Sequence, residues 1–327
     1  MTIAVFTEHR GDKLLPIALE GLGAGRKLAD ALGQPVAAVL VGSSIAGLAQ
    51  AAIAGGADLV YVVDDPLLME YQPDAYVSVL EKVVRQINPQ ILIIGQTDTG
   101  RDLAPRLAFR LGTAVTTDCV DLAIDPVAKR LLATRPVYGG NALAVFSNET
   151  DPQMVTIRTK TMTALPTDAA RRGEIINIAA GLDAAAIKAR VISRVAEEVA
   201  GIKIEDAAAV VAGGRGIGSA EGFKQLEELA RLLKGAVGAS RPPCDSGWAP
   251  DTVQVGLTGK IIAPELYIAV AISGSSQHMS GCSGSRTIVA MNKDAEANIF
   301  RYARYGAIGD WKKVLPAFTA KVRALIS

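Results

Sequence analysis

"AAAVVAGGRGIGSAEGFKQLEELARLLKGAVGASRPP", Ala207–Pro243, is the stretch that decides the fold. An apolar run ends in glycines, a helical segment follows, and a second apolar run ends at Ser240 and Arg241. Strand, crossover helix and strand make a βαβ unit, which calls for a parallel sheet. Two more apolar runs follow, "LYIAVAIS" (266–273) and "TIVAMNKD" (287–294), each ending in small or polar residues. Ligands of such sheets sit outside the carboxyl ends of the strands, at a topological switch point. The residues just after each strand are therefore the ones to inspect.

Toward the N-terminus the same alternation recurs. "TIAVFT" (2–7), "VAAVLVG" (36–42), "LVYVV" (59–63) and "ILIIGQ" (91–96) are separated by longer amphipathic helical segments, which predicts a parallel sheet covered on both faces. From Thr117 to Thr163 the texture changes to β-rich segments with turn signals: "CVDLAID", "LLATRPVYGG", "ALAVFSN" and "QMVTIRT". These predict antiparallel strands added to the first domain. Pro166 to Lys203 reads as a connection, with a boundary near Glu198. The expected fold is α/β: two Rossmann-like parallel-sheet domains, 1–198 and 199–327, the first with an antiparallel β extension.

At 327 residues the chain has room for two such domains. Lys+Arg is 34 against Asp+Glu 33, so no basic field exists to attract nucleic acid or an acidic membrane. The apolar runs are far shorter than the roughly 20 residues of a membrane span. "MTIAVFTEHR" lacks the pattern of a secretory signal. Cys119, Cys244 and Cys282 are scattered without CxxC spacing, which fits a reducing compartment and gives no metal framework. A cytoplasmic or matrix-like protein with no metal is expected.

Four stretches of the second domain carry chemistry. In "VVAGGRGIGSAEGF", glycines between strand and helix let the backbone approach a phosphate, although Gly214, Gly216 and Gly218 do not follow the GxGxxG spacing of a dinucleotide fold. A tight βα connection is the alternative. At the next strand end, Ser240 and Arg241 stand where an NAD site would carry an acid, and Arg241 could instead read a 2′-phosphate. "QVGLTGK" (254–260) offers backbone amides and the Thr258 hydroxyl, or is a plain turn. In "ISGSSQHMSGC", His278 lies in a roomy turn, one of only two histidines, without metal partners and without a nucleophile elbow. The other histidine, His9, reads as loop. Polar groups without a strong nucleophile or base suggest binding and tuning rather than covalent chemistry.

Taken in order, GASR, VGLTGK, APELYIAV, ISGSSQH and MNKD over Gly213–Pro316 resemble the flavin-binding domain of electron-transfer flavoprotein alpha subunits. The N-terminal half is similar through its layout and "TDTGRDLAPRLAFRLG". The resemblance implies FAD as cofactor and a heterodimer with a beta subunit. It also implies electron transfer from dehydrogenases of the acyl-CoA type to a quinone oxidoreductase or another acceptor. Carried over by motif, Arg215 and Ser240 would hold the FAD and Arg241 would lie against the isoalloxazine. Thr258 would hydrogen-bond flavin N5, with Gln254, Val255, Gly256 and Leu257 lining the site. Ser273, Gly274, Ser275, Ser276 and Gln277 would supply the turn around the cofactor, with His278 by flavin O2. Asn292, Asp310 and Trp311 would reach the ribose and adenine end. Leu257 departs from the Gln common in the family.

Negative charge grows at the N1–C2=O2 edge of a reduced flavin, so a donor or imidazolium at His278 and the charge of Arg241 would favour reduction. The implied protein is an electron carrier without substrate chemistry of its own, with electron bifurcation by the assembled pair left open. An NADP-dependent oxidoreductase using Arg241, or a nucleotide-binding module in the N-terminal domain, are the alternatives. "WKKVLPAFTAKVRALIS" predicts an amphipathic helix broken or restarted at Pro316.

Overall fold

A computed structural model describes residues 1–140, 142–193 and 202–326. The chain divides into two compact units, one of Met1–Val137 and Leu143–Val195, the other of Tyr138–Ala142 and Ala196–Ser327. The boundary expected near Glu198 lies outside the described residues.

In the first unit, uninterrupted apolar runs fold as fully buried strands, as strands covered on both faces must. Ile3–Phe6, Val36–Gly42 and Ile91–Gly95 show no exposed residue. They belong to a seven-stranded sheet in the order Glu174–Asn177, Leu59–Asp64, Val36–Gly42, Ile3–Phe6, Ile91–Gly95, Gln153–Ile157, Val115–Cys119. Every pairing in it is parallel. Helix Pro16–Leu32 packs Ile17, Leu22 and Leu28 on one face, while Pro73–Ile87 and Asp98–Leu111 pack Leu80, Val83, Leu103 and Leu107 on the other.

The β-rich middle splits in two. Asp121–Ile124 pairs antiparallel with Leu131–Val137, and with Ala142–Phe146 they form a three-stranded sheet, the expected extension. Val115–Cys119 and Gln153–Ile157 do not join it. They continue the parallel sheet, because "QMVTI" is buried throughout and needs neighbours on both sides. The stretch expected to be connection also contributes Glu174–Asn177, an edge strand parallel to Leu59–Asp64. His9 starts a two-residue strand that pairs with Lys13–Leu14.

The second unit has five parallel strands, one more than the sequence suggests: Ala236–Ala239, Ala209–Gly213, Leu266–Val270, Thr287–Asn292 and the short edge Tyr305–Ile308, in that spatial order. The chain leaves the second of these for the first, then crosses back to the third. The switch point therefore falls between Ala209–Gly213 and Leu266–Val270. Helix Ala220–Leu232 begins at Ser219, whose hydroxyl accepts from Gly222 N. Trp311–Ile326 is one helix with Pro316 inside it, so the expected break is absent.

Candidate functional site

At the switch point lies a cavity of about 550 Å³. Its walls are the turns after four strands: Gly214–Gly216, Ser240–Pro242, Ala271–Ser273 with Ser275, and Asn292 with Asp294. Gln254–Thr258, Gln277, His278 and Ala297 complete the lining.

Glycine is required here by close approach. A Cβ on Gly214 would stand 2.1 Å from the Ala271 carbonyl oxygen, because the first and third strands turn over one another at the switch point. Gly256, at φ +145, would place its Cβ 2.9 Å from Gln277 O. Ala271 itself is left-handed, at φ 54, an uncommon conformation for a residue with a Cβ. These positions bring bare backbone to the cavity wall.

"QVGLTGK" follows a short 3₁₀ turn, Asp251–Val253, not a strand. Val255 N donates to Ala239 O at 2.8 Å and Leu257 N to Gln277 O at 2.8 Å, so the turn is stitched to two walls. Gln254 is buried, and its Nε2 donates to Thr258 Oγ1 at 3.1 Å. That leaves the Thr258 proton free to point elsewhere, and Thr258 lines the cavity. Arg215, Arg241 and Leu257 are exposed lining residues, and Arg241 Nε pairs with Asp245 at 3.3 Å. Asn292 Nδ2 donates to Ile272 O at 2.9 Å while its Oδ1 accepts from Asp294 N, which ties the third and fourth strand ends together.

His278 lines the cavity but is 5% exposed, and both ring nitrogens are engaged: Nδ1 with Val255 O at 3.1 Å and Nε2 with Tyr267 Oη at 2.8 Å. Burial pushes its pKa down to about 4, with the hydrogen bond to Val255 O acting weakly the other way. The ring is neutral near pH 7, so of the two forms expected from sequence, a donor or an imidazolium, the imidazolium is not the one present.

Of the expected residues, Arg215, Ser240, Arg241, Gln254, Val255, Gly256, Leu257, Thr258, Ser273, Ser275, Gln277, His278 and Asn292 meet at this cavity. Gly274 and Ser276 lie beside it in the chain without lining it, and Gly274 sits at φ +79 against Ile299 N. Trp311 is in the core, its Nε1 donating to Gly216 O at 3.0 Å, so it buttresses the glycine turn from behind. Asp310 accepts from Lys312 N at the helix start. Neither lines the cavity. Sequence reasoning missed Pro242, Ala271, Ile272, Asp294 and Ala297 as lining residues, of which only Pro242, in "SRPP", and Asp294, in "NKD", carried a signal.

Residues 3–183 match the electron transfer flavoprotein domain family, and residues 203–283 match the electron transfer flavoprotein FAD-binding domain family. The chain is 43% identical over 324 residues to the electron transfer flavoprotein subunit alpha of Thermoanaerobacterium thermosaccharolyticum, covering 99% of this chain and 98% of that one. The chain belongs to the electron transfer flavoprotein alpha subunits. The Megasphaera elsdenii subunit is 42% identical over 98% of this chain and 96% of the relative, and that of Bacillus subtilis (strain 168) 39% over 99% and 98%. Electron transfer is the family's role, FAD is the cofactor of its second unit, and membership implies a beta subunit as partner. No helix among the described residues is long and apolar enough to cross a membrane. Among them no cluster of three His, Cys, Asp or Glu could hold a metal.

Proposed function

We propose that the switch-point cavity of the second unit holds the FAD of this alpha subunit. In the assembled heterodimer this FAD takes electrons from flavin dehydrogenases of the acyl-CoA type and passes them to a quinone oxidoreductase, in the cytoplasm. The observation that carries the proposal is convergence: residues spread from Arg215 to Asn292 line one cavity. Its size falls within the roughly 300–1,000 Å³ of small-molecule sites, and its glycines let the turns that wall it pack backbone against backbone.

FAD supplies one- and two-electron redox chemistry when bound. The protein's own contribution is positioning and charge. Ser240, Arg215 and the bare backbone at Gly214 would hold the cofactor, with Asn292 and Asp294 at the far wall. Thr258, oriented by Gln254, would donate to flavin N5. Arg241 and Arg215 supply the positive charge, because His278 is neutral. The domain limits that go with this reading are 1–198 and 199–327, with FAD in the second part. Absorbance of the purified heterodimer tests the reading. It should show a flavin spectrum that bleaches on adding an acyl-CoA dehydrogenase with its substrate. A colourless protein that takes up no FAD would end it.

A further inference from the structure

Behind His278 lies a side chain that the flavin site does not touch. We propose that Tyr267 is a positioning residue: its hydroxyl donates to His278 Nε2, fixing the Nδ1–H tautomer that clamps the Val255–Gly256 turn onto the cavity wall. The inference rests on the cavity being the flavin site, as proposed above.

The carbonyl decides the tautomer. Val255 O can only accept, so Nδ1 at 3.1 Å must carry the proton. With Nε2–H instead, the Nδ1 lone pair would face the carbonyl lone pairs. A neutral ring protonated at Nδ1 has a bare Nε2, which needs a donor, and the Tyr267 hydroxyl stands 2.8 Å away. Tyr267 is wholly buried, and burial raises its pKa well above that of a free phenol, so the hydroxyl keeps its proton. Its surroundings are Val210, Ala212, Ala269, Met279 and Ile288, where phenylalanine would pack equally well. A polar oxygen in that setting costs free energy unless bonded. Cys282 lies beside the hydroxyl as well, and the 2.8 Å bond to the imidazole is the one that gives its proton a nitrogen acceptor.

The clamp joins separate parts of the site. Val255 is held at its N–H by Ala239 and at its C=O by His278, and His278 is held in turn by the third strand through Tyr267. His278 lies not in the open turn expected from sequence but in helix Ser276–Cys282, and one turn on Cys282 Sγ donates to His278 O at 3.6 Å, fixing the helix that carries the ring. The orientation of Thr258, three residues after Val255, depends on this turn staying in place.

The chain's two histidines make the test direct. The chain is labelled with ¹⁵N-histidine, assembled with its unlabelled beta subunit and FAD, and assigned with a His9→Gln variant. Wild type should show His278 with a protonated Nδ1 and a hydrogen-bonded, unprotonated Nε2. Tyr267→Phe should move the Nε2 resonance to that of an unbonded nitrogen and shift the midpoint potential of the bound flavin. A protonated Nε2 in wild type overturns the proposal, whether or not the variant assembles. An unchanged Nε2 signal or an unchanged potential in the variant also overturns it. Flavin content, read by absorbance on the same samples, reports separately on the FAD assignment.

Discussion

The two units solve one architectural problem in opposite ways. Each has a parallel sheet whose strands part at a switch point, between Ile3–Phe6 and Ile91–Gly95 in the first and between Ala209–Gly213 and Leu266–Val270 in the second. In the first, the chain's own Glu8 bridges the two strand ends. It is 7% exposed, bonded to Thr97 Oγ1 at 2.8 and 2.9 Å, with a carboxylate oxygen 2.7 Å from where a Cβ on Gly95 would stand. In the second, the residue after Ala209–Gly213 is Gly214, and the turns after the strands line a cavity of about 550 Å³. The topology offers a site twice, and the side chain that follows the first strand decides whether it stays available.

Substitution at the matching glycines should break this contrast most visibly. Gly214→Val drives a side chain into the Ala271 backbone, which cannot yield, and should cost at least about 3 kcal/mol and abolish FAD binding. Gly95→Ala meets only the Glu8 and Ile17 side chains, which can move, and should cost about 1 kcal/mol with FAD retained. Thermal unfolding and flavin absorbance of the heterodimer read both. Equal losses in the two variants would erase the distinction between a filled and an open crevice.

The two crevices should also respond oppositely to pH. Burial raises the Glu8 carboxyl to about 7, against a weaker opposing bond from Thr97. Its stabilisation is complete below the unfolded value of 4.5 and is lost as pH rises through 7, at most about 3 kcal/mol. His278, depressed to about 4, contributes above its unfolded value of 6.5 and loses that contribution as pH falls through 4, again at most about 3 kcal/mol. Glu8→Gln should flatten the decline between pH 5 and 8. His278→Gln should flatten the decline between pH 6.5 and 4. Melting profiles with unaltered pH slopes in both variants would contradict these burials.

The smallest effect is expected at the rim. Arg241 is exposed and already paired with Asp245, so solvent screens its charge. Arg241→Ala should lower the one-electron flavin potential by roughly 10–40 mV, as a surface charge would. A potentiometric titration showing a rise would remove Arg241 from the ring's vicinity.

What the sequence made legible follows from where the information is local. Long buried runs such as "ILIIG" and "VAAVLVG" announce parallel strands by themselves, and the motifs from "GASR" to "ISGSSQH" mark residues that do line one cavity. Strands at sheet edges were not legible: "EIIN" and "YGAI" are mostly exposed and carry no apolar run. "QMVTI" was legible as a strand but not in its direction, which depends on neighbours 60 residues away in sequence. Trp311 looked like a cofactor contact because nothing local shows that its indole N–H reaches back to Gly216. Whether His278 is a neutral ring or an imidazolium was not legible for a similar reason: its hydrogen bonds to Tyr267 and Val255 are tertiary facts.

Hydrogen–deuterium exchange on the flavin-depleted heterodimer, with and without FAD, tests the filled-versus-open contrast most directly. The account predicts the largest new protection at 214–216, 240–242, 254–258 and 271–278, with little change at 7–10 and 95–98. Protection concentrated at Glu8 and Thr97, with the second unit's turns unaffected, would contradict it.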